Sequence, residues 1–211
     1  MSGGRGLALV GYRGTGKSTV AAEVAYRLGI TRVASTDFIR QTMRAFFSPE
    51  FMPTIHFSSF EAGQALDDEV TGDPTVLGFV DQCRHVCVGV EAALRRALTE
   101  GWSMVLEGVH LVPGMLPTEL EGALLVHVVI EIGDEAVHRT HFHIRDATTG
   151  GIRSMDKYLD HIDDIRRVQT YIASRARREN VSVVENANVE RTIDHVIELV
   201  MQSAERARPT A

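Results

Sequence analysis

Eight residues near the start of the chain, Gly11-Tyr12-Arg13-Gly14-Thr15-Gly16-Lys17-Ser18, constrain the fold more than any others. They read as glycine, four free positions, glycine, lysine and serine, the pattern whose backbone N–H groups wrap phosphate oxygens at a helix N-terminus. The flanks agree with that geometry. Leu7-Ala8-Leu9-Val10 is a short apolar run of the kind a buried parallel strand shows, and Thr19 to Leu28 carries Val20, Ala21, Val24, Ala25 and Leu28 at helical spacing. Within the loop, Gly11, Gly14 and Gly16 are the positions where phosphate must approach the backbone, with Arg13, Thr15 and Thr19 around them. Lys17 adds a point charge, and the Ser18 hydroxyl can ligate Mg²⁺. Lys17 and Lys157 are the lysines of this chain and every other basic residue is arginine, so a lysine at the motif position is hard to assign to chance.

Downstream, apolar runs continue to alternate with helical patterns. Thr31 to Ser35 reads as a second strand, and Thr36-Asp37 stands where it meets a helix over Phe38 to Phe47. Asp37 is thereby set at the carboxyl end of a strand, where open α/β sheets bind ligands; the same position suits a helix N-cap. Pro49 and Pro53 break the pattern, and Thr54 to Phe60 is too polar and turn-rich for a regular element, so it reads as a substrate loop. Asp73-Pro74 supplies an N-cap and a proline at the first helical position, opening a helix that runs to Glu100 and stops at Gly101. Its stripe of Val76, Phe79, Val80, Cys83, Val86, Cys87, Val90, Leu94 and Leu98 is a core face, and the two cysteines are small core residues. Ser103 to Leu106 is a third strand, ending at Glu107-Gly108-Val109-His110; Leu124 to Ile132 is a fourth and Val181 to Val184 a fifth. Periodicity lapses around Thr148-Thr149-Gly150-Gly151, the signature of a lid over about residues 139–157. One helix is expected from Met155 to Arg178 and a last one from Val189 to Arg206. Helices between successive strands imply right-handed parallel crossovers and a sheet covered on both faces.

At 211 residues and 44% hydrophobic, the chain suits one domain spanning 1–211, without repeats or linkers. A formal charge of −6 excludes the usual nucleic-acid footprint, and Arg175-Ala176-Arg177-Arg178 falls late in a helix, where cations suit the dipole. No apolar run reaches membrane-span length and no signal-peptide pattern precedes the first strand, so a cytoplasmic location is expected. Monomer and homodimer are both open.

Taken together, Gly11 to Ser18, Ser35-Thr36-Asp37 with Arg40 and Arg44, Pro53-Thr54-Ile55-His56 with Ser58-Ser59, Glu107 to Gly114, and Tyr158, Ile165-Arg166 and Gln169 resemble the 2-phosphoglycerate kinase family. The phosphate-loop half is shared with shikimate kinases and zeta-type toxins; the other segments are more specific. The resemblance implies a P-loop NTPase fold with five parallel strands in the order 2-3-1-4-5. It implies transfer of a phosphoryl group from ATP, with Mg²⁺, to an anionic small molecule, 2-phospho-D-glycerate giving 2,3-bisphosphoglycerate. Methanogen members carry an ATP-cone domain ahead of this region; the resemblance here sets in almost at the first residue, so no such module is expected in these residues. A kinase for another small hydroxylated metabolite, or a nucleotide-binding regulatory protein without transfer, uses the same loop.

Phosphoryl transfer needs positioning, charge neutralisation and a carboxylate beside the attacking hydroxyl. Asp37 is the expected base, in reach of Mg²⁺ through water, and Glu107, at the edge of a buried strand, is the alternative. Arg40 and Arg44 lie four apart on one helical face as an anion clamp, with His56, His110, Ser58 and Ser59 as further acceptor contacts. Residues 37–62 thus form the expected acceptor region. Arg145 and Arg153 are expected to close over the transferring group from the lid. Arg139 is placed to stack on adenine and the Asn186 to Asn188 loop to read its edge. An Asn-Lys-x-Asp guanine signature is missing from the sequence, which favours ATP.

Overall fold

Alternation along the third strand decides which layer each side chain joins: Met104 and Leu106 enter one apolar cluster and Val105 the other. The computed structural model describes residues 5–11, 15–67, 69–117, 119–140 and 155–207. Among these, strands β1 (Arg5–Gly11), β2 (Val33–Ser35), β3 (Met104–Gly108), β4 (Leu124–Glu131) and β5 (Ser182–Glu185) form a parallel sheet in the order β2-β3-β1-β4-β5. The labelled helices are α1 (Lys17–Arg27), α2 (Thr36–Phe46), α3 (Pro74–Thr99), α4 (Met155–Asp160), α5 (Ile162–Arg178) and α6 (Val189–Arg206), and residues 135–140 are helical as well.

On one face, Val20, Ala21 and Val24 of α1 and Ile193 and Val196 of α6 pack on Val105, Val128 and Ile130. On the other, Phe79, Cys83 and Val86 of α3 and Ile165, Val168 and Ile172 of α5 pack on Leu106 and Val129. Each fully buried aliphatic or aromatic side chain contributes about 1.5–3 kcal/mol by leaving water, which favours covering both faces of the sheet. Cys83 and Cys87 belong to this core, as their spacing suggested. Burial pushes the Cys87 thiol up to about 11, and its S–H points to His110 O at 3.7 Å.

Local chemistry sets most boundaries. Asp73 Oδ1 accepts from Thr75 N at 2.9 Å and caps α3 ahead of Pro74. The helix expected over 155–178 is instead two, broken at His161, whose Nδ1 lies 3.1 Å from Asp164 Oδ2 in the first turn of α5. The segment Thr54 to Phe60, expected to lack a regular element, begins in one 3-10 turn, Pro53–His56, and a second, Ala62–Ala65, follows it. The middle of the expected lid lies outside the described residues. Among the described residues, no helix is long and apolar enough to cross a membrane.

At the end of β3 the chain must turn beneath α2. Gly108 has φ 152°, and a Cβ there would collide with Thr36 Oγ1. Gly108→Ala therefore combines backbone strain with a clash, and a loss of about 2–4 kcal/mol is expected in urea unfolding. A midpoint unchanged from wild type would show that the turn tolerates a side chain.

Candidate active site

The phosphate-loop residues that are described converge on the start of α1. Gly16, at φ 75°, precedes the helix, and a Cβ on it would press against Asn186 Nδ2. That amide donates to Thr15 O at 2.7 Å, and Asn186 Oδ1 accepts from Thr192 Oγ1 at 3.0 Å. Asn186 is fully buried, so its side chain braces the loop from the β5–α6 connection. Lys17, the first residue of α1, is buried, with Nζ 3.5 Å from Glu107 Oε2. Ser18 and Thr19 follow on the exposed side of the first turn. Arg13 and Gly14 lie outside the described residues; Gly11 ends β1, in register with Ile130 of β4.

Glu107 is the centre of the sheet edge. Its backbone is in register with Leu9 of β1 on one side and Ser35 of β2 on the other. Oε2 is buried and, Lys17 aside, has no hydrogen-bond partner among the described residues. A carboxylate is costly there unless cations meet it. Next to it, Ser35 Oγ accepts from Asp37 N at 3.2 Å. Ser35 therefore caps α2, and the capping role that suited Asp37 falls two residues earlier. Asp37 is left on the first turn with its carboxylate 41% exposed and 3.5 Å from Arg40 Nε. It opens on a cleft of about 730 Å³ whose lining includes Arg44, His56, Ser58, Glu61 and Tyr158.

Several sequence-predicted contacts are engaged within the protein. Arg40 is buried, and its Nη1 donates to Ile55 O and Phe57 O at 2.8 Å each. It holds a loop as well as bordering the cleft, so it is not the exposed partner of Arg44 that helical spacing suggested. Arg44 is exposed and donates to Gln41 Oε1 at 3.1 Å. His110 is fully buried between Thr36 and Gln82, outside the cleft lining, because the chain after β3 turns inward under α2. His56 Nε2 lies 3.0 Å from Phe47 O with the ring at the cleft wall, whereas Ser59 is buried away from that lining. Asn188 Oδ1 caps α6 by accepting from Arg191 N, so its amide oxygen serves the helix end. Arg139 is paired with Glu135 at 2.9 Å on its own helical turn. Arg145 and Arg153 lie outside the described residues.

Sequence reasoning missed Gln82. It is fully buried on α3, in phase with Phe79 and Val86, and it contacts the loop. A glutamine on an otherwise apolar stripe was the available signal, since such a group must find partners when buried.

No family model matches the chain. It is 40% identical over 196 residues to 2-phosphoglycerate kinase from Pyrococcus furiosus, a match covering 93% of this chain and 64% of that protein. Against the protein of that name from Methanothermobacter thermautotrophicus, identity is 42% over 190 residues, covering 89% and 62%. The chain thus spans somewhat under two thirds of the length of these relatives. Among solved structures, a gluconokinase from Sinorhizobium meliloti superposes with a TM-score of 0.55 at 16% identity, covering 98% of this chain and 96% of that one. A shikimate kinase from Acinetobacter baumannii gives 0.52 at 14%, covering 97% and 96%. The fold is that of a P-loop kinase. In this fold the buried Asn186 amide takes up the Thr15 carbonyl, which has no access to water. Asn186→Ala is expected to cost about 1–3 kcal/mol and to speed amide exchange at residues 15–20. Exchange as slow as in wild type would remove Asn186 from the loop's support.

Proposed function

We propose that this chain is an ATP-dependent kinase that transfers the γ-phosphoryl group to a hydroxyl of an anionic hydroxy acid, with 2-phospho-D-glycerate as acceptor and 2,3-bisphosphoglycerate as product. One observation carries the reading. The register of β3 with β1 and β2 brings Lys17 of the phosphate loop and Asp37 of the acceptor cleft to the same sheet edge, on either side of Glu107. The similarity to proteins named 2-phosphoglycerate kinase over 93% of the chain supports the choice of acceptor.

In this mechanism the loop's N–H groups and Lys17 bind the β- and γ-phosphates at the N-terminus of α1. Arg44, His56 and Ser58 orient the acceptor's phosphate and carboxylate in the cleft, and Arg40 shapes its wall. Asp37 accepts the hydroxyl proton as the acceptor oxygen bonds to the γ-phosphorus and the bond to the β–γ bridging oxygen breaks, releasing ADP. The first-turn Ser18 hydroxyl and the buried Glu107 Oε2, which makes no hydrogen bond among the described residues and faces Lys17 at 3.5 Å, are hard oxygen donors of the kind Mg²⁺ requires, so these residues fit the ion, with Asp37 in reach through water. Mg²⁺ supplies charge neutralisation at the transferring phosphates when bound. Arg145 and Arg153 are proposed to add positive charge from a lid over about 139–157, with residues 37–62 as the acceptor region.

ADP release measured across phosphorylated and unphosphorylated hydroxy acids tests the activity directly, and no turnover with any of them would end the kinase reading. Lys17→Ala should lower turnover by about 10²-fold or more, since it removes a preorganised charge at the transferring group. Turnover equal to wild type would contradict the phosphate role. Asp37→Asn keeps the side-chain volume, and Ser35 retains the cap, so thermal stability should fall only by what the ion pair with Arg40 contributes, while kcat falls by about 10²-fold at near-normal ATP affinity. A kcat within a few fold of wild type would move the base to Glu107, to be checked with Glu107→Gln.

A further inference from the structure

The loop that carries His56 and Ser58 has no strand neighbour to define it. Its regular structure is a single 3-10 turn of four residues, so its shape depends on side chains from elsewhere. Those side chains come from two helices. Gln82 Nε2, on α3, donates to Thr54 O at 2.6 Å and to Phe57 O at 3.1 Å. Arg40, on α2, donates to Ile55 O and Phe57 O. Thr54 Oγ1 donates to Asp81 Oδ2 at 2.8 Å. The carbonyls of residues 54, 55 and 57 are thus each gripped from outside the loop.

Gln82 also faces the other way. Its Oε1 lies 3.0 Å from His110 Nε2, and His110 Nδ1 lies 2.8 Å from Thr36 Oγ1. Donor and acceptor chemistry allows one assignment for a neutral imidazole. Two carbonyls approach one end of the Gln82 amide, which must therefore be the NH₂, leaving the oxygen toward His110. His110 Nε2 then carries the hydrogen, Nδ1 accepts, and the Thr36 hydroxyl donates. A directed chain of hydrogen bonds runs from Thr36 through His110 and Gln82 to the loop. Gln82, His110 and Thr36 are each fully buried, where a satisfied polar chain is rigid and a broken one is costly. Thr36 is the residue before Asp37, and it is also the side chain against which Gly108 turns.

We propose that Gln82 is a positioning residue for the phosphoryl acceptor: through His110 it fixes the loop bearing His56 and Ser58 at a set distance from Thr36 and hence from Asp37. The role assigned to the acceptor rests on the kinase reading; the fixing of the loop does not. Since the amide itself lies outside the cleft lining, Gln82 acts on the acceptor through the loop carbonyls.

Gln82→Met keeps length and bulk but leaves Thr54 O and His110 Nε2–H without that partner, while Phe57 O keeps Arg40. The KM for 2-phosphoglycerate is expected to rise tenfold or more, by an order-of-magnitude reading of a lost orienting contact, with the KM for ATP within about twofold of wild type. Amide exchange at residues 54–58 should quicken by about tenfold, with that of α1 unchanged. Thr36→Val removes one hydroxyl at constant shape; it should shift the acceptor KM in the same direction by less, and it keeps the test open if the α3 variant does not fold. An unchanged acceptor KM in both variants, or equal losses for acceptor and ATP, overturns the proposal. If the wild-type protein transfers to no hydroxy acid, the kinase reading fails separately, and exchange at 54–58 still decides: no change in Gln82→Met overturns the positioning role.

Discussion

Everything at the carboxyl edge of this sheet depends on where β3 ends. Because β3 lies between β1 and β2, its last residues are in register with both, and Glu107 is flanked by the strand that feeds the phosphate loop and the strand that feeds α2. Parallel pairing makes this possible, since all strands deliver their carboxyl ends to one edge. Lys17 reaches Glu107 from one side, and Ser35 caps the helix carrying Asp37 on the other. A shift of β3 by one residue would send Glu107 toward the opposite layer and separate these groups.

The two halves of the edge are built by different means. The phosphate-loop half relies on backbone geometry, with Gly16 pressed close to Asn186 and the Thr15 carbonyl taken up by a buried amide. The cleft half relies on side chains reaching across elements. Arg40 and Gln82 grip a segment that has little regular structure of its own, and His110 links that grip to the turn after β3. This division fits a scaffold whose phosphate-loop end and cleft end are supported separately, so that one loop and its supports can change without the other.

The motif at residues 11–18, the apolar runs and the capping pair Asp73-Pro74 made the strands, helices and parallel connections legible in the sequence, because each depends on neighbours within a few residues. The cysteines could be placed in the core for the same reason: an apolar stripe of helical period has one buried face. The cleft position of Asp37 and the edge position of Glu107 also followed from where strands end. Arg40 and His110 did not. An arginine four residues from another looks like half of a clamp on a helical wheel, and a histidine after a strand looks like a ligand. Only the packing of α2 against residues 53–57 and of α3 against the turn after β3 turned them inward to satisfy buried carbonyls and amides.

What the sequence by itself determined is therefore the local order: which stretches are strands and helices, where the phosphate loop lies, and which strand ends carry carboxylates. Periodicity and capping report the immediate surroundings of each residue, and those requirements are written within a few positions of it. Tertiary structure alone decided which polar side chains face the cleft and which face the protein. That choice depends on partners far away in the chain, such as Gln82 for Thr54 and Asn186 for Thr15, whose carbonyls must be satisfied once water is excluded.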